Sequence, residues 1–246
     1  MSHPADIVAG VDGEDPAGAL PAVTPSHLRR GEELCRRRLK HELRGGKKRA
    51  NRTGDMRFAV SNRIEKDARL AQAEPGPPRP EAFVDPRELE PEQRVLYRAG
   101  VRGYLDTFGD VSARVVDLDW GTPLDELGVE LRANPGIPAE LADGRRELRK
   151  IALGGRRAVI DEVEVYVALA RTADWAPEQL DIVGVDLIGQ LATARITAGA
   201  AEREAGLAWI APRVARLLEL AADGRARAGA DCLGCPFIAG CPAHAG

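Results

Sequence analysis

The sequence predicts an α/β protein in which a small mixed β-sheet is flanked by helices, behind a helical N-terminal part. Apolar residues recur at helical spacing through most of the first hundred residues. From Ser112 onward, short strand-like runs alternate with turns and one helical stretch. The cysteines supply a third observation. Of four in 246 residues, three lie in Cys232-Leu-Gly-Cys235-Pro-Phe-Ile-Ala-Gly-Cys241-Pro, and Cys35 stands about 200 residues upstream. A fold that returns Cys35 to the tail would close the chain at one metal centre.

Residues 1–22 are rich in Ala, Gly, Pro and Asp without periodicity, and read as a disordered leader ahead of a single domain over 23–246. Thr24-Pro25 is a helix start, with Thr24 as N-cap and Pro25 at the first helical position. Leu28, Leu34, Cys35, Leu39 and Leu43 extend that helix to Gly45-Gly46, with Cys35 in its middle and His27 and His41 on its surface. A second helix runs from Met56 to Gln72. The stretch Glu74-Pro-Gly-Pro-Pro-Arg-Pro80 reads as a linker, and a third helix spans Glu90 to Phe108 with Val95, Leu96, Val101, Tyr104 and Leu105 as its stripe. The helical part thus covers about 24–110 and the sheet core about 111–199.

Strands are expected at Ser112–Leu118, Gly128–Arg132, Ile137–Leu141 and Arg146–Leu153, the last two joined by an Asp143-Gly144 turn. Val159–Ala170 is helical, and Asp181–Leu187 with Leu191–Thr197 forms a hairpin around Ile188-Gly189. A long helix over Ala200–Asp223, carrying Pro212, leads into the cysteine tail over 200–246.

The net charge of −3 conceals an asymmetry. Eleven Arg or Lys residues against three Glu between Arg29 and Arg52 give that segment +8, leaving −11 elsewhere. Its cations Arg29, Arg30, Arg36, Arg37, Arg38, Lys40, Lys47, Lys48 and Arg49 are candidate phosphate contacts, although a solvated helix face and basic loop would have the same composition. No apolar run approaches the length of a membrane span and the N-terminus has no signal-peptide pattern, so a cytoplasmic protein without a membrane partner is expected. In that compartment cysteines are metal ligands or catalytic groups more often than disulfides.

A Cys-x2-Cys pair brings two sulfurs into chelating reach, and Cys241 and Cys35 complete a set of four thiolates. That set suits tetrahedral zinc or a 4Fe–4S cluster. Zinc ribbons pair two such knuckles, whereas the one-plus-three split seen here, with Pro after Cys241, favours the cluster. There is no phosphate-binding glycine loop, nucleophile elbow or zinc-protease helix.

An early helical cysteine followed by a distant Cys-x2-Cys-x5-Cys-Pro tail resembles the iron–sulfur nucleases of the PD-(D/E)XK superfamily. These include AddB, RecB-like exonucleases and the CRISPR adaptation nuclease. The opening Thr24-Pro-Ser-His-Leu, continuing to Leu34-Cys35-Arg-Arg-Arg-Leu39, is similar to that family's start, although Arg36 stands where the family has Pro. The resemblance spans Ser26 to Cys241 and implies a restriction-endonuclease-like core, with a structural cluster held by Cys35, Cys232, Cys235 and Cys241. It also implies DNA as substrate or ligand and a helicase or other DNA-processing protein as partner.

The nuclease site implied by the resemblance is eroded. Such enzymes hold Mg or Mn with a His or Glu on a helix, an Asp on one strand and (Asp/Glu)-x-Lys on the next, followed by Gln-x3-Tyr on a helix. Here Glu65 takes the helix position. Pro138 or Ala139 falls at the Asp, Lys150 at the second carboxylate and Ala152 at the lysine, and Tyr166 is preceded by Glu162 instead of Gln. A shifted register offers Glu147 and Arg149 on one strand face, with Glu140 or Glu130 for the missing Asp, though arginine replaces lysine poorly. The expectation is therefore a degenerate nuclease, a pseudoenzyme that binds nucleic acid or serves as a subunit. The alternatives are an exonuclease with a rearranged site, using Glu65, Glu140, Glu147, Arg149, Lys150 and Tyr166, or a purely structural interaction subunit.

Overall fold

The computed structural model describes residues 19–45, 55–134, 136–154, 160–189, 194–226, 232, 235 and 241–243. Residues 1–18 of the expected leader lie outside these. Ala22, its last residue, instead opens strand β1 (Ala22–Val23), which runs parallel to β4 (Val129–Arg132). Averaging composition over the leader hid Ala22, which pairs into the sheet beside the fully buried Val23. The helix expected over 24–43 is two. α1 (Pro25–Arg30) passes through a 3-10 turn into an extended Leu34, and α2 (Arg36–Leu43) begins after Cys35, which caps it from outside the helix. Gly31, still helical, lies so close to Leu217 that a side chain there would overlap it, and the chain leaves the helix at Leu34.

α3 (Asp55–Ala71) and α4 (Pro91–Phe108) follow. The proline-rich stretch between them is tied down. Gly76 and Ala113 exchange backbone hydrogen bonds of 3.1 and 2.9 Å, and the Gln72 amide donates to the carbonyls of Gly76 and Val111. Of the stripe expected on α4, Tyr104 is fully buried and Leu96 and Val101 pack partly buried against the core, but Val95 is exposed, and the inward face also takes in Tyr97, Gly100, Gly103 and Phe108. Two glycines on that face let the helix backbone approach the sheet.

Two small mixed sheets flanked by helices make up the α/β architecture. In one, β4 lies between β1 and the unanticipated β3 (Gly121–Leu124). The other has the order β2-β5-β6-β7-β8, made of β2 (Ala113–Val115), β5 (Ile137–Leu141), β6 (Arg146–Ala152), β7 (Gln179–Asp186) and β8 (Ala194–Gly199). β5 runs antiparallel to both β2 and β6. α5 (Glu162–Arg171) then carries the chain over to β7, parallel to β6, and β8 returns antiparallel. Val159, expected in α5, and the Leu191–Thr193 end of the expected last strand fall outside the described residues.

α3 and α4 cover one face of the larger sheet through Val60, Ile64, Tyr104, Val183 and Val185, and α5 covers the other through Leu148, Leu169, Leu180 and Ile182. α6 (Ala200–Asp223) packs with α1, α2, α5 and the small sheet around Val23, Leu39, Leu131, Ile210 and Val214. Buried Arg203 on α6 donates to the carbonyls of Leu169, Ala176 and Pro177, satisfying acceptors that the end of α5 leaves open. Asp186 ties the ends of β6 and β7 together, accepting the N–H groups of Gly154, Ile188 and Gly189. Burial opposes its charge, but those amides and Arg57 hold its carboxyl below the usual range. Among the described residues no helix is long and apolar enough to cross a membrane.

Candidate functional site

The six candidate catalytic residues separate into four places. Glu147 and Arg149 share the β6 face that α4 covers, as strand alternation requires, and both are sealed there with 2% and 0% exposure. Arg149 donates Nε to Glu147 (2.7 Å), and one terminal nitrogen to both Gln72 (2.7 Å) and the Tyr104 hydroxyl (2.9 Å). Its guanidinium lies 4.2 Å from the Phe108 ring centre. The second Glu147 oxygen accepts from Arg195 on β8 (2.8 Å), which also reaches Asp181 (2.7 Å). This is a network of alternating charge, buried so that neither residue faces a substrate, although the other terminal nitrogen of Arg149 has no hydrogen-bond partner among the described residues.

Glu140 sits at the far side of β5, opposite Arg114 on β2, and accepts from Arg114 (2.6 Å) and Trp175 (3.4 Å). The Arg114 hydrogen bond holds its carboxyl low. Glu130, the other stand-in for the missing Asp, lies on β4 of the smaller sheet beside Arg132. Tyr166 donates to Glu162 one turn earlier (2.9 Å) and packs on Trp209, 5.3 Å between ring centres.

Glu65 and Lys150 are linked through one residue, Asn134. β5 begins at Ile137 opposite Arg149, so Lys150 runs one position beyond its partner strand, where Gly136 turns away at φ +68°. Through that gap Asn134 joins two elements. Its side-chain amide donates to Glu65 on α3 (2.8 Å), and its carbonyl accepts from the Lys150 ammonium (2.6 Å). Burial pushes the Glu65 carboxyl up, against the Asn134 hydrogen bond and the charges of Lys150 and Arg69. Burial pushes Lys150 down, against Glu65 and Glu164. Asn134, which completes this contact, was invisible to motif reading because it lies outside every expected strand.

Among the described residues of the basic segment, Arg29, Arg36 and Arg38 are engaged within the fold. Arg29 bonds Asp161 (2.7 Å) and Glu164 (3.2 Å), Arg36 pairs with Asp223, and Arg38 donates to Glu42 (2.8 Å). Arg30 is exposed beside Glu33, Lys40 lies against Gly224, and Arg37 has a buried Nε without a hydrogen-bond partner among the described residues. Lys47, Lys48 and Arg49 lie outside the described residues. His27, expected at the surface, is 1% exposed: Thr24 N–H donates to its Nδ1, and its Nε2 stands 3.0 Å from Glu42.

All four cysteines are partly buried thiols. Cys35 immediately precedes Arg36, whose ion pair with Asp223 places the start of α2 against the end of α6. The tail leaves that point through Gly224, and the Cys235 N–H donates to the Cys232 carbonyl (3.1 Å). Among the described residues no three or more His, Cys, Asp or Glu groups are gathered closely enough to hold a metal.

No protein-family profile and no curated protein matches the chain. Among solved structures, one titled "Crystal structure of SSO0001" is similar at 13% identity and a TM-score of 0.28, over 91% of this chain and 87% of that one.

Proposed function

We propose that the protein is a catalytically inactive, cytoplasmic iron–sulfur member of the RecB/AddB nuclease-like fold, acting by binding nucleic acid or within a DNA-processing complex. The observation that carries this is the placement of Glu65 and Lys150 on either side of Asn134. Where the resemblance calls for a strand carboxylate beside the helix carboxylate, the chain presents an ammonium. Pro138 and Ala139 on the neighbouring strand bring no ligand, and Glu147 with Arg149 is sealed beneath α4. Two-metal cleavage needs oxygen donors at that point, so the residues present do not fit Mg or Mn. The order β5, β6, α5 agrees with the sequence of elements the resemblance implies.

The cluster belongs to the same reading. Cys35 would join the terminal trio across the contact that Arg36 and Asp223 already make, and a cluster would supply structural fastening there. Gathering thiolates around an inorganic core is itself part of folding in such proteins.

Internal pairing of Arg29, Arg36 and Arg38 favours a second reading, a purely structural subunit of such a complex. Mobility-shift and cleavage assays on anaerobically purified protein separate the two. The nucleic-acid reading expects DNA to be bound with steep salt dependence and left intact in Mg2+ or Mn2+. Neutralising Arg30, Lys47, Lys48 and Arg49 should lower the salt slope by roughly one for each phosphate that is no longer neutralised. Absence of binding selects the structural subunit, and metal-dependent cleavage overturns the inactive assignment.

A further inference from the structure

Resting on the nucleic-acid reading, we propose that a cleft on the outer side of α4 takes one nucleotide of a single strand, its unpaired base against Phe83 and its phosphate on Arg102. The cleft measures about 340 Å³, lies between α4 and the segment before it, and falls within the size range of small-ligand sites. Phe83, Tyr97, Val101 and Leu105 make its wall apolar and partly aromatic. Phe83 is half-buried and packs on Tyr104 at 5.7 Å between ring centres, so its ring is held in place without being covered. Tyr97 is 2% exposed and its hydroxyl donates to Asp67, so its one donor is spent inside the fold.

Polar groups gather at the rim. Arg98 is held by Asp85, whose carboxyl this hydrogen bond keeps below its usual range. Arg102, one turn further along α4, is exposed, and so is Asp106 one turn beyond it. Both line the cleft, and neither has a hydrogen bond or ion pair among the described residues. An unengaged guanidinium and an unengaged carboxylate beside an aromatic wall match the three parts of an unpaired nucleotide. The guanidinium suits the phosphate, the ring suits the base, and the carboxylate accepts from a base's amino group. A purely apolar ligand would leave both charges idle, and a duplex would keep its bases stacked away from Phe83.

Fluorescence anisotropy of labelled oligo-dC, and of an abasic strand of equal length, tests the site on anaerobically purified protein. The wild type should bind oligo-dC at least about fivefold more tightly than the abasic strand. Phe83→Leu, which keeps an apolar side chain against Tyr104, should erase most of that difference and leave the salt dependence unchanged. Arg102→Gln should weaken both strands and lower the salt slope by roughly one. Asp106→Ala should weaken oligo-dC alone, whereas loss of a negative charge would by itself strengthen the binding of either strand. Should Phe83→Leu fail to fold, the variants at exposed Arg102 and Asp106 decide. Equal wild-type affinity for the two strands, or oligo-dC bound equally by the wild type and all three variants, overturns the site and leaves the nucleic-acid reading standing. A wild type that binds neither oligo-dC nor duplex DNA overturns both.

Discussion

Glu147→Ala is expected to destabilise the protein by about 3–5 kcal/mol, because it removes the carboxylate bonded to the fully buried Arg149 guanidinium. At this chain length that is a fall of roughly 10 °C in melting temperature. Gln72, Tyr104 and Phe108 would still surround the cation, but none of them carries negative charge to offset it. Arg195 would lose one of its two carboxylates as well and swing outward, loosening β8 against β7. Replacing both partners, Glu147→Leu with Arg149→Met, should recover most of the loss, since two desolvated charges disappear together. Thermal melts of the three variants check this. Unchanged stability in Glu147→Ala would return that carboxylate to the set of candidate functional groups.

Gly103→Ala is the second large effect, at about 3 kcal/mol. A Cβ at this position would overlap the Leu187 carbonyl oxygen, and a backbone atom at the end of β7 cannot move aside as a side chain can. The helix would have to lift from the sheet, disturbing Tyr104 and Phe108, which pack around Arg149. Ala99, exposed on the same helix, should accept Ser with little change. Denaturant unfolding of the two variants side by side reads the contrast. Equal stabilities would mean that α4 does not seat as closely as described.

These two sites show what the sequence could and could not disclose. The strands from Ile137 to Ala152 and the long C-terminal helix were legible because alternation, the Asp143-Gly144 turn and a long apolar period are local signals. The face of α4 was not, because glycine carries no apolar signal and its value there lies in what it allows to approach. The close approach of Gly31 to Leu217 escaped for the same reason, since Leu217 lies far along the chain. In the candidate site, Glu65 and Lys150 could be named from spacing, but their link depends on where β5 begins and on Asn134 in a loop. Charge counting is blind to partners within the fold. Arg29, Arg36 and Arg38 look like an unengaged basic face in sequence and are bound to Asp161, Asp223 and Glu42 in the fold.

The claim on which the functional reading depends is that the two ends of the chain are fastened at one inorganic centre. Iron and acid-labile sulfide counted on protein purified without oxygen test it directly. The expected result is about four of each per chain in the wild type, with the iron lost when Cys35→Ser removes the upstream thiolate. Tightly bound zinc in place of iron, or a full iron complement retained in Cys35→Ser, would contradict it.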